Sequence, residues 1–96
     1  MFKCGELLKG LSYECTRGSI DKSIEEVVYD SRKITKDCLF ICICGYNVDG
    51  HSFAAQAVEK GAGALVVQKD VELPADADVT VIRVEDTRYA MAFISA

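Results

Sequence analysis

The chain predicts a small three-layer α/β domain with a mostly parallel sheet and a βαβ unit. Three observations carry that expectation. Cys38–Cys44 (CLFICIC) and Ala64–Val67 (ALVV) are short, apolar throughout and rich in β-formers, as strands buried on both faces are. Between them, Phe53, Ala54, Ala57 and Val58 fall on one helical stripe. Strand, helix and strand within about thirty residues form a βαβ unit, which is parallel and right-handed in nearly all cases.

The remaining elements follow in chain order. Leu7, Leu8 and Leu11 predict a short helix over Gly5–Leu11. Glu25–Tyr29 (EEVVY) predicts a strand, and the DSRK after it a turn. Ser52 is expected to cap the helix over the 53–58 stripe, and Gly61 to end it. DVELPADAD holds the only proline, Pro74, and reads as a loop. Thr80–Val84 (TVIRV) predicts another strand. Asp86 or Thr87 caps a last helix through Tyr89, Ala90, Phe93 and Ile94. The pattern breaks off inside that helix, which predicts a chain cut at Ala96 rather than finished there.

Composition bounds the function. Ninety-six residues fit one domain with one core, not a cleft enclosed by two lobes. Fifteen acids face eleven bases, a net charge of −4, and the bases are scattered. A nucleic-acid partner needs a basic stripe, so none is expected. No apolar run is long enough to span a bilayer, and MFKCGELLKGLSYEC lacks a signal-peptide core. No membrane partner is expected, and the localisation is read as cytoplasmic. The five cysteines are odd in number and form no C-x-x-C. They read as buried free thiols that act as small hydrophobes, in keeping with a reducing cytosol. A thiol redox or metal protein built on Cys42 and Cys44 is the rival reading.

Two short stretches hold candidate chemistry. GYNVDGHS, Gly45–Ser52, has the glycine spacing of a phosphate loop, G-x-x-x-x-G-K-[ST], but His51 stands in the lysine place. It lies between a predicted buried strand and a helix start, where open α/β sheets bind ligands and where unpaired N–H groups face anions. Imidazole is shorter than lysine and mostly neutral at pH 7, so the side chains do not suit ATP. On spacing alone the plain alternative stands ahead: glycines that permit positive φ and a helix start. The second stretch is VVYDSRK, Val27–Lys33. Ser31 offers a donor and an acceptor, and Arg32 a planar cationic fork. Seen alone, Asp30 and Arg32 read as a surface ion pair on a polar turn.

Taken together and in this order, the stretches resemble the N-terminal domain of the Mur ligase family. The matching residues are Tyr29-Asp30-Ser31-Arg32-Lys33, Leu39-Phe40, Gly45, Asp49-Gly50-His51, Phe53, Gln56-Ala57 and Gly61-Ala62. The closing VEDTRYAMA, Val84–Ala92, resembles the segment leading out of that domain, so the likeness covers nearly the whole chain. Four positions depart from the family pattern. The glycine before D-L-F is Asp37 here and its aspartate is Cys38; Cys42 holds the small-residue place and Cys44 that of a common lysine. Within the family, V-x-Y-D-S-R and G-Y-x-V-D-G-H look most like the MurE type, the ligase that adds the third residue of the peptidoglycan stem peptide. The MurF type, which adds D-alanyl-D-alanine, and a non-enzymatic α/β interaction module are the alternatives.

The resemblance implies a docking domain for the uridine end of UDP-N-acetylmuramoyl-L-alanyl-D-glutamate. By position, Tyr29 and Ser31 would lie at the uracil and ribose, and Tyr46, Asn47 and Val48 would wrap the base. Tyr46 would stack on the ring or pack on Phe53. Asp49 would brace the loop. Arg32 would face phosphate or pair with Asp30. His51 would meet the diphosphate or serve as a capping or buried polar residue. The resemblance implies no catalytic residue, metal site or cofactor in this chain. ATP and Mg²⁺ would serve the full-length ligase through its own central and C-terminal domains. The amino acid added, diaminopimelate or lysine, would be selected in the C-terminal domain.

Overall fold

The structure is a computed structural model that describes residues 2–43 and 50–95. It opens with a two-residue strand β1 (Phe2–Lys3), a short helix α1 (Cys4–Leu7), and strands β2 (Glu14–Arg17), β3 (Ser23–Ile24) and β4 (Glu26–Val28). A 3-10 turn, Ser31–Lys33, leads to β5 (Cys38–Ile41). A second 3-10 turn, Gly50–Phe53, runs into helix α2 (Ala54–Glu59), followed by β6 (Ala64–Val67), β7 (Thr80–Arg83) and helix α3 (Thr87–Ser95). Five strands form one sheet in the order β2-β7-β6-β5-β4, and β1 pairs with β3 in a small antiparallel ribbon. β4 through β7 are parallel to their neighbours, and β2 closes one edge antiparallel to β7. The mostly parallel three-layer α/β fold expected from the sequence is the fold found.

Strands β5 and β6 are buried at every position because their two faces meet different layers. Cys38, Phe40, Leu65 and Val67 point into one core with Ala54 and Ala57 of α2. Leu39, Ile41, Ala64 and Val66 point into the other, together with Cys4, Leu8 and Ala90 of α3. A strand with apolar side chains at both parities can sit only in the middle of three layers. The Pro74 loop adds Val71, Leu73 and Ala77 to the α2 side.

The ends differ from expectation in instructive ways. The α2 helix begins at Ala54 with Phe53 in the cap place and no side-chain cap; Ser52 sits one step earlier, inside the 3-10 turn. Gly61, at φ +100°, ends the helix as expected, with its N–H on Val58 O and the Ala62 N–H on Ala57 O. Asp86 is the cap of α3: its Oδ1 accepts from the Arg88 N–H at 2.9 Å and from the Tyr89 N–H at 3.4 Å. Strand β2 carries no apolar pattern to announce it. It exists because β7 offers it a free edge.

Three of the cysteines are buried as small hydrophobes are: Cys4, Cys38 and Cys42, none of them in a disulfide. Burial, and then the nearby Cys15, push the Cys4 thiol up to about 11; burial raises that of Cys38 as well. Such thiols stay protonated and inert. Cys15 departs from the expected burial, since it lies exposed on the edge strand β2. Cys44 lies outside the described residues.

Two of the positive-φ positions, Gly18 and Asp37, have it for opposite reasons. Gly18, at φ +77°, leaves β2 so close to β7 that a Cβ would stand 2.6 Å from Thr80 Oγ1 and 2.7 Å from Thr80 Cα. The Thr80 hydroxyl holds this bend, accepting from the Ser19 N–H at 3.1 Å and donating to Ser19 O at 2.9 Å. Asp37, at φ +62°, occupies the left-handed region where glycine is favoured. This explains why the family pattern has glycine there. Urea denaturation will therefore separate two substitutions by sign. Gly18→Ala lowers stability by roughly 2–4 kcal/mol, through strain and overpacking. Asp37→Gly raises it by up to about 1 kcal/mol.

Candidate functional site

The carboxyl edge of a parallel sheet is where consecutive strands end together and their backbone turns away unpaired. Here β4 and β5 are direct neighbours, with Val27 beside Leu39 and Val28 beside Phe40. Adjacent strands lie about 4.8 Å apart. The Tyr29–Lys33 turn and the chain leaving β5 through Cys42 and Ile43 therefore depart from the same edge, side by side. The chain returns at the Gly50–Phe53 turn, which feeds α2. Tyr46, Asn47 and Val48, with Gly45 and Asp49, lie outside the described residues, as does the side chain of Ser31. The Ser31 backbone opens the 3-10 turn.

Tyr29 is 62% exposed, directly after β4. Together with Glu26, Val28, Asp30 and Lys33 it lines a shallow depression of about 230 Å³. An aromatic ring left in water at the end of a strand offers a flat face to a flat ligand.

Asp30 organises the turn that follows. Its Oδ1 accepts from the Arg32 backbone N–H at 2.9 Å, which starts the 3-10 turn. The same carboxylate takes both ends of the guanidinium, Nε at 3.1 Å and Nη2 at 2.9 Å. The fork of Arg32 thus faces a carboxylate, and its charge is balanced locally. Hydrogen bonds from the Arg32 side chain and backbone hold the Asp30 carboxyl down at about 2. Of the two roles open to Arg32, the pair with Asp30 is the one seen. The side chain remains 88% exposed, so the outer face of the guanidinium is accessible.

His51 is 7% exposed. Its Nε2 accepts from the Gln68 backbone N–H at 3.0 Å. The structure thus gives it the buried polar role, one of those the sequence left open. Gln68 in turn accepts at Oε1 from the Thr87 N–H, 3.1 Å away, and from the Thr87 hydroxyl, 3.0 Å away. Sequence reading gave Gln68 no part. Its partners are 17 and 19 residues away, and no local pattern marks such a contact. Among the described residues no three His, Cys, Asp or Glu side chains converge to hold a metal ion. None of their helices is long and apolar enough to cross a membrane.

Comparison with known proteins finds relatives in sequence and in fold. Residues 23–96 match the family described as Mur ligase family, catalytic domain. The chain is 46% identical over 90 residues to the UDP-N-acetylmuramoyl-L-alanyl-D-glutamate--2,6-diaminopimelate ligase of Clostridium perfringens, an alignment covering 94% of this chain and 18% of that protein. The ligase of the same name from Clostridioides difficile is 42% identical over 93 residues, covering 97% of this chain and 19% of its own. Among solved structures, MurF from Acinetobacter baumannii superposes with a TM-score of 0.79 at 26% identity, covering 96% of this chain and 20% of that one. The chain thus spans about a fifth of the length of the relatives it matches.

The Asp30–Arg32 pair has a pH signature. A depressed folded-state value means that the pair's contribution to folding is complete above the ordinary carboxylate range. It declines below that range and is gone as pH falls through about 2. Carboxyl ¹³C NMR will find the Asp30 midpoint near 2, and Arg32→Ala will return it toward the ordinary aspartate value of about 3.9.

Proposed function

The chain belongs to the Mur ligase family, and on that premise we propose that it is the N-terminal domain that docks the uridine end of UDP-N-acetylmuramoyl-L-alanyl-D-glutamate. The full-length protein would be the ATP-dependent amide ligase that adds the third amino acid of the peptidoglycan stem peptide, working in the cytoplasm. The observation that carries the docking role is the adjacency of β4 and β5, which sends the YDSRK turn and the GYNVDGH loop off one edge. The names of the sequence relatives favour diaminopimelate as the added residue. They also favour the third-residue ligase over the MurF type, whose likeness is in fold at a lower identity of 26%.

The chemistry of the edge supports the reading. Uracil presents one N–H donor between two carbonyl acceptors. A serine hydroxyl at Ser31 and main-chain groups of the 45–48 loop supply the matching acceptor and donors. Tyr29, exposed beside them, gives the ring or ribose an apolar face. The solvent-facing side of Arg32 lies near the phosphates in this arrangement, its charge moderated by Asp30. Tyr46, Asn47, Val48 and His51 complete the proposed set.

Catalysis belongs elsewhere in the full-length ligase. The whole reaction activates the D-glutamyl carboxylate as an acyl phosphate, with ATP and Mg²⁺, and the incoming amine then displaces phosphate to leave an amide. The residues of this chain do not fit that machinery. It contains no G-K-[ST], and no acidic or imidazole cluster is found among the described residues. No step of the reaction is therefore assigned to it. Its part is to bind and orient the nucleotide end, while its own central and C-terminal domains act on the peptide end.

An NMR titration of the chain with UDP-N-acetylmuramoyl-L-alanyl-D-glutamate tests this. Shifts are expected to cluster at residues 29–32 and 45–52, and Ser31→Ala should weaken binding about fivefold, one hydrogen bond of about 1 kcal/mol. A folded sample that shows no shifts there at millimolar ligand refutes the docking role.

A further inference from the structure

The turn after β4 carries two adjacent cations, and only one of them has a partner. Arg32 gives Nε and Nη2 to the Asp30 carboxylate, at 3.1 Å and 2.9 Å. Those two charges balance each other, and a ligand meets the weaker field of a paired dipole. Lys33 comes next. Its backbone N–H donates to Asp30 O at 2.9 Å, which fixes its place at the close of the turn. Its side chain is exposed and makes no ion pair or hydrogen bond among the described residues. It lines the same depression of about 230 Å³ as Tyr29 and Asp30. Hydrogen bonds from Arg32 lower the Asp30 carboxyl most, and the charge of Lys33 adds to that effect. The ammonium therefore lies within electrostatic reach of the turn it closes.

The other acid lining the depression is Glu26, three residues before Tyr29 and so about 10 Å back along the strand. Its Oε2 accepts from the Thr35 hydroxyl at 3.2 Å, which holds it there. The depression is thus polarised along its length. Its start on β4 is negative, and the turn, where Asp30 and Arg32 balance, keeps one net positive charge. An unpaired ammonium beside an open aromatic ring matches a ligand with a flat heterocycle and an anionic group close to it. We propose that Lys33 supplies the unbalanced positive charge that meets the diphosphate, and so sets the preference of this edge for a uridine diphosphate over the bare nucleoside. This role rests on the docking function proposed above. A lysine ammonium is a compact point charge on a flexible stem, so it can follow a diphosphate whose oxygens point in several directions.

The test is a set of NMR titrations of this chain with uridine, UDP and inorganic pyrophosphate, for wild type, Lys33→Gln and Lys33→Arg. Wild type should bind UDP about fivefold more tightly than uridine at low salt, the size of one exposed charge-assisted contact. The preference should shrink as salt is raised, because exposed charges are screened. Lys33→Gln should lose it while binding uridine as wild type does, and Lys33→Arg should keep it. A preference for UDP that survives in Lys33→Gln, or that salt leaves unchanged, overturns the proposal. So does an equal loss for uridine and UDP in Lys33→Gln, which would mean a structural part for the side chain. Pyrophosphate that binds as tightly as UDP overturns it too, since the site would then make no use of the ring. Without a partner in the fold, Lys33 should be replaceable, and an Asp30 carboxyl midpoint still below the ordinary aspartate value will show the turn intact in Lys33→Gln. If that turn is lost, Lys33→Arg and the salt dependence of wild type still decide. A wild-type chain that binds uridine and UDP equally overturns this role alone. One that binds neither overturns the docking function, and this role with it.

Discussion

Burial of β5 on both faces is the constraint from which the rest of the molecule follows. Alternate residues of one short strand enter two separate cores, Phe40 on one side and Leu39 and Ile41 on the other. Each such side chain contributes about 1.5–3 kcal/mol only if its own face is covered. One face is covered by α2 and the Pro74 loop, the other by α1, α3 and Ile24. With both faces closed, polar groups are left the rim of the sheet. A binding site in so small a domain has to sit at a strand end, and the neighbouring ends of β4 and β5 lead into both polar motifs of the sequence.

That rim is built by hydrogen bonds more than by charge. The chain carries a net −4, and its exposed arginine at the site is already paired with Asp30. An anionic ligand meets no strong positive field. Among the described residues that edge offers the exposed ring of Tyr29 and a turn fixed by the Asp30–Arg32 hydrogen bonds. The docking role proposed above would ask such an edge to orient its ligand more than to attract it.

The elements legible in the sequence were those whose cause is local. CLFI, ALVV and TVIR are apolar runs with β-branched character, and each is a strand. Gly61 and Asp86 end and begin helices by short-range bonding. The elements missed have distant causes. ECTR becomes a strand only because Ile82 and its neighbours lie beside it. The ribbon of β1 and β3 joins residues more than a helix apart, Phe2 with Ile24. The two polar motifs, read in order, were expected to follow neighbouring strand ends, and β4 and β5 are neighbours. The Asp30–Arg32 pair was visible as a choice between two partners, and the bond from Gln68 to His51 was invisible until the strand order was known.

Arg17 closes the far edge by a contact of unusual reach. One terminal nitrogen of its guanidinium donates to the carbonyl oxygens of Pro74, Ala75 and Ala77, at 2.8, 3.1 and 2.7 Å. The strand that carries it pairs with residues 81–83. During vectorial synthesis on the ribosome, β2 therefore emerges long before anything it can hold. Its partners are translated some sixty residues later, and more of the chain must clear the exit tunnel before the edge can shut. Until β7 emerges, the backbone groups of β2 have no strand to pair with, and they stay open to whatever the nascent chain meets first.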